Sequence, residues 1–123
     1  MDKRLIHIGD YFMYHHTTLV QVMNIYDEKV DSFNQSSYSI HGLYPIEVTP
    51  QLLENNGWMN YGSFLIREIG ILGMEWNLKE KTIAVMNILE NRRIIILPAK
   101  FVHQLQHILR ELSLLEEADE MYL

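Results

Sequence analysis

Two histidines four residues apart, His103 and His107, stand in the stretch Lys100-Phe-Val-His-Gln-Leu-Gln-His-Ile-Leu-Arg-Glu-Leu112. On a helix that spacing puts both imidazoles on one face, where they could share a metal ion as in two-histidine zinc sites. The protease form of the motif has a Glu directly after the first His as general base. Here Gln104 holds that place and cannot accept a proton. A third ligand would have to come from elsewhere, with His41 or Glu111 as candidates. The competing reading is a helix whose outer face carries imidazoles. The sequence favours that reading, and it assigns no metal and no cofactor.

Other reactive constellations are missing. His15-His16 could serve as acid and base, but neighbours on an extended chain point to opposite faces and rarely act on one atom. None of the serines sits in a Gly-x-Ser-x-Gly elbow. Gly70 and Gly73 frame "GILG" without the Lys-Ser/Thr of a phosphate loop, and so suggest a turn or bulge. The chain has no cysteine, hence no thiolate nucleophile, thiolate zinc site or disulfide. These observations point away from an enzyme and toward a binding protein.

Aromatic residues with polar handles are plentiful. Tyr and Trp give large rigid contact areas that stack on bases or partner surfaces, although any one ring is as readily part of the core. Arg67 and Arg110 could pair with a phosphate or carboxylate. The candidate ligand-binding set is Tyr14, His16, Tyr38, His41, Trp58, Tyr61, Arg67, Trp76, His103, His107 and Arg110.

Charge and hydropathy bound the class. The 123 residues carry a formal net charge of −6, and the one basic cluster is Arg92-Arg93 in an expected turn, which disfavours nucleic acid as a partner. The longest apolar run, Ile94–Pro98, is far short of the roughly 20 residues that span a bilayer. Met-Asp-Lys-Arg opens the chain without an apolar signal core, so the expectation is a cytoplasmic protein of one domain, residues 1–123.

Stepping along the chain, Leu5–Tyr14 and Leu19–Tyr26 read as strands, with Gly9-Asp10 as a turn or bulge and His15–Thr18 as a hairpin loop. Tyr38–Tyr44 returns as a third short strand. Thr49 as N-cap, Pro50 in the first helical position and Gly57 as a left-handed cap define a short helix. Ser63–Glu68, Leu72–Leu78, Thr82–Leu89 and Arg93–Leu97 follow as a meander with exposed turns at Lys79–Lys81 and Glu90–Arg92. Ile94–Leu97 lacks alternation and is expected to be buried on both faces. In the last helix Phe101, Leu105, Ile108, Leu112 and Leu115 form the buried stripe, with His103, His107 and Arg110 opposite, at about 100° per residue. Glu116–Glu120 reads as a solvated acidic end. The fold class is α+β: an antiparallel, strongly bent sheet with half-barrel-like N-terminal strands, then a meander, one short middle helix and one C-terminal helix.

Three blocks carry a family resemblance: Ile8-Gly9-Asp10-Tyr11-Phe12, Pro45–Thr49 leading to Gly57-Trp58, and Phe101-Val102-His103-Gln104-Leu105-Gln106. In this order they resemble small proteins of Bacteroidetes genomes, prophages and phages that open "Ile-Gly-Asn-Tyr-Val" and end in a "Tyr-Val-His-Gln-Leu-Gln" helix. The chain departs from them at His107, where the family has Asn, and over Ile108–Glu116. The shared His103, Gln104 and Gln106 suit side chains that fix the helix to the sheet edge or preceding loop, or alternatively line a pocket there. A phage setting implies a small accessory protein that binds rather than catalyses. The first expectation is a homo-oligomer that sequesters a small nucleotide signal of host defence; the second is an inhibitor or interaction module directed at a host or phage protein, and the third and weakest is a metal-dependent hydrolase using His103, His107 and one carboxylate.

Overall fold

The computed structural model describes residues 1–123. In chain order the elements are β1 (Tyr11–Tyr14), β2 (Thr18–Tyr26), β3 (Lys29–Ser32), β4 (Ser37–Ser39), β5 (Leu43–Tyr44) and α1 (Pro50–Asn55). Then come β6 (Met59–Asn60), β7 (Phe64–Ile69), β8 (Leu72–Asn77), β9 (Thr82–Asn87), β10 (Arg92–Pro98), α2 (Val102–Glu111) and α3 (Leu115–Asp119). Two five-stranded antiparallel sheets result, ordered β4-β3-β2-β1-β5 and β10-β9-β8-β7-β6, and the α+β class is as expected. The chain forms two compact units, Met1–Glu47 with Phe101–Glu120 and Val48–Lys100 with Met121–Leu123.

In the first unit, period-two alternation places Phe12, Val20, Val22 and Val30 on one sheet face, where they bury fully with Ile6, Ile40 and Leu43. Each such side chain contributes roughly 1.5–3 kcal/mol on leaving water. Leu5–Tyr14 is not one strand. Lys3–Leu5 is a 3-10 turn and Gly9 stands at φ +92°, a conformation open to glycine, so β1 begins only at Tyr11.

In the second unit, α1 begins as its sequence dictates: Thr49 Oγ1 accepts the Leu52 N–H at 3.1 Å, and Pro50 takes the first turn. Gly57 follows at φ +87°. The β8–β9 and β9–β10 turns share one device. Asn77 Oδ1 accepts the Lys79 and Glu80 N–H groups, and Asn87 Oδ1 those of Leu89 and Glu90. Leu65, Met74, Trp76, Ile83 and Val85 are fully buried.

Three further expectations need correction. Tyr38–Tyr44 is not one strand: β4 ends at Ser39, Ile40–Gly42 forms a 3-10 turn, and β5 is Leu43–Tyr44 alone. The unalternating run Ile94–Leu97 is not buried on both faces: Ile94, Ile95 and Ile96 are 56%, 45% and 54% exposed, because β10 is the last strand of its sheet and has β9 alone as neighbour. The acidic end is not a free tail either, since Leu115–Asp119 forms α3, with Ala118 buried and Leu115 exposed.

Candidate functional site

The face of α2 that carries His103, His107 and Arg110 does not look into solvent. Asp10, fully buried, lies against it. Its carboxylate accepts the His7 backbone N–H at 2.8 Å, His107 Nε2–H at 2.7 Å and Arg110 Nη1–H at 2.6 Å. Arg110 also donates through Nε to Asp119 Oδ1 at 2.9 Å, which ties α2 to α3. Burial alone would lower the Arg110 pKa, but the bonds to Asp10 and Asp119 outweigh it and the net direction is upward. Gln106, also fully buried, accepts the Tyr11 N–H at 2.9 Å and donates to the carbonyls of Gly9 and Ala118 at 2.9 and 2.8 Å. Tyr11 Oη–H donates to the Asp119 carbonyl at 2.6 Å. Both carboxylate oxygens of Asp10 are thus met by protein donors, which makes this a polar lock between β1, α2 and α3. Removing one partner from such a buried charged network typically costs about 3–5 kcal/mol.

His103 is buried, with Phe12 and Phe101 rings at 5.1 and 5.9 Å and its Nδ1 enclosed without a protein partner. Burial first, and then the neighbouring His107 and His7 against the pull of Asp10, hold its pKa below the ordinary imidazole value. His7 stacks on His107 at 3.7 Å and is lowered for the same leading reason. The two α2 imidazoles face each other edge-on at 5.7 Å, with His107 Nε2 engaged by Asp10. No group of three or more His, Cys, Asp or Glu side chains is arranged to hold a metal ion.

A second cluster sits at the β1–β2 hairpin. His15 and His16 occupy its turn at φ 50° and 62°, closed by the Thr17 N–H on the Tyr14 carbonyl at 3.1 Å. Two successive positive φ values are the province of Asn-Gly, and imidazoles there carry backbone strain. His16 lies on the Tyr44 ring at 3.9 Å, both exposed. Tyr14 contacts His15 at 4.1 Å and Tyr38 at 4.8 Å. The His15 N–H donates to the Gly42 carbonyl at 2.9 Å, and a Cβ on Gly42 would strike the Tyr14 ring, so glycine is required for this approach. His41 adjoins it, 3.5 Å from Glu28.

No family model, curated protein or solved structure matches this chain.

The eleven candidate residues therefore divide. Tyr14, His16 and Tyr38 gather at the hairpin, joined by His15 and Tyr44, while His41 faces Glu28 in the turn after β2. His103, His107 and Arg110 belong to the polar lock, with Gln106 fixing the helix to β1 as the shared-block reading anticipated and Gln104 Oε1 accepting the Phe101 N–H at 3.0 Å. Trp76 is fully buried and donates Nε1–H to the Ala99 carbonyl at 2.8 Å, so it has no free face; Trp58 is also buried. Arg67 donates to the Asn56 carbonyl at 3.0 Å and closes the end of α1, while Tyr61 stays exposed beside Phe64. Sequence reasoning missed Asp10 and Asp119 as lock members. The signal available was an Asp following Gly9 in the first block, and an Asp nine residues after Arg110.

Proposed function

We propose that this chain is a non-catalytic binding protein that holds a small nucleotide by its rings at the β1–β2 hairpin. The observation that carries the reading is the exposed His16–Tyr44 pair, presented by a turn whose two histidines sit where Asn-Gly would be unstrained. Flat aromatic faces stack on nucleobases irrespective of sequence, and imidazole N–H groups can meet a phosphate oxygen. Non-catalytic capture is supported by the lock, whose Asp–His–Arg side chains, of types that serve as acids and bases elsewhere, are engaged with one another by hydrogen bonds. The resemblance to phage-associated proteins would make such capture a way of removing a host signal.

The test is a thermal-shift screen of the intact chain against linear, cyclic and ADP-ribose-type nucleotides, with each ligand recovered and checked by chromatography. A ligand at about 100 times its Kd adds roughly 2.7 kcal/mol, several degrees in Tm for a domain of this size. The expected result is a shift with the ligand recovered intact, lost in His16→Ala and in Tyr44→Ala. No shift with any nucleotide, or a chemically altered ligand, would count against the reading.

A further inference from the structure

β10 is an edge strand whose ends carry the usual protections, Arg92 and Arg93 with a bulge at one end and Pro98 at the other, but whose middle carries none. Such strands are normally short, charged or covered, because their free N–H and C=O groups template pairing with another chain. Here three consecutive isoleucines are about half exposed, and Leu89 in the preceding turn is 78% exposed. The backbone alternation can be read from one bond: the Ala99 N–H donates to the Lys81 carbonyl, so Leu97 and Ile95 also face β9 while the N–H and C=O of Ile96 face outward. Pro98 falls on the outward set, so its missing N–H leaves the β9 ladder intact. The bulge in the strand lies between Arg93 and Ile95, and Ile95–Pro98 pairs regularly.

The charges on this edge are laid out unevenly. Arg92 and Arg93 stand at the start of β10. Beside Ile96 lies a shallow depression of about 330 Å³ that Glu75 and Glu80 line together with Arg93, and Arg93 Nη2 is 4.0 Å from Glu75. Lys81 does not neutralise this depression, because its ammonium sits 5.0 Å from the Trp76 ring, and Trp76 points to the opposite sheet face from its neighbour Glu75.

We infer that β10 pairs antiparallel with β10 of a second copy of this chain, about a two-fold axis near the isoleucines. That arrangement sends each copy's Arg93 toward the Glu80 end of the other's depression, sets Arg92 near the other's Lys100, and keeps the two arginine pairs at opposite ends. A parallel arrangement would stack them. A two-fold contact uses the same strand twice, so pairing through β10 closes at two copies. The strands join through the outward Ile96 backbone groups, and the isoleucine side chains cover one another.

The experiment is sedimentation of the intact chain over about two decades of protein concentration. Wild type is expected to move from monomer to dimer. Ile96→Lys, a charge on the exposed face of the edge, should weaken dimerisation at least about tenfold with the monomer's circular dichroism unchanged. Arg93→Glu should weaken it too, and adding Glu80→Arg to Arg93→Glu should restore it. A monomer throughout, a dimer indifferent to Ile96→Lys, open-ended assembly, or a charge swap without rescue would each overturn the inference. The charge-swap pair keeps the test decisive even if Ile96→Lys fails to fold.

Discussion

His103 shows what a single side chain contributes and what it withholds. Its folded-state pKa is lowered, mainly by burial, below the unfolded value of about 6.5, and His7 shifts the same way. Above that unfolded value both states are neutral and the stability is fully present. As pH falls through it the unfolded chain takes up protons first, and stability declines until the folded pKa is reached. Urea midpoints should therefore be higher at about pH 7.5 than at about pH 5.5. His103→Leu should flatten that difference without abolishing it, because His7 still titrates; an unchanged pH dependence would mean that His103 is not held neutral. Little of this was legible beforehand. Periodicity put His103 on an outer face, since a helical wheel assumes that one side meets solvent. Asp10 and Gln106 turn the opposite side of α2 into a second interior, through contacts spanning 97 residues that no local window contains.

Elements whose determinants are local were read well. The Thr49–Pro50–Gly57 signature gave α1 because cap, first-turn proline and left-handed exit all act within a few residues, and the turns led by Asn77 and Asn87 fell where charged triplets were expected. β10 was misread because an unbroken apolar run has the same appearance on a buried strand and on an uncovered edge; position in the sheet decides between them. The β1–β2 hairpin makes a sharper prediction. Replacing His15-His16 by Asn-Gly supplies the residues that two positive φ values favour, and should stabilise the chain by about 1 kcal/mol. The same change removes the imidazole stacked on Tyr44, so the nucleotide-dependent Tm shift should vanish while the ligand-free Tm rises. A stabilised variant that still binds would show that the histidines are tolerated strain rather than ligand contacts.

At the scale of the molecule, the α+β class followed from short antiparallel links, which leave no room for parallel crossovers. The make-up of the two compact units did not, because it depends on Phe101–Glu120 joining the unit built from the first 47 residues. The hairpin cluster and β10 belong to different units and share no residue. We therefore predict that the two bind independently, and linkage requires that any coupling be reciprocal. Two titrations test this. The Tm of wild type should rise with protein concentration, as for any protein stabilised by its own association, and that rise should be absent in Ile96→Lys. The increment that a saturating nucleotide adds should be the same in both, because independent sites contribute additively, within about 0.5 kcal/mol. An increment that grows with dimerisation would instead show the two events to be coupled, and by reciprocity the ligand would then drive monomers together at concentrations where the free chain stays apart.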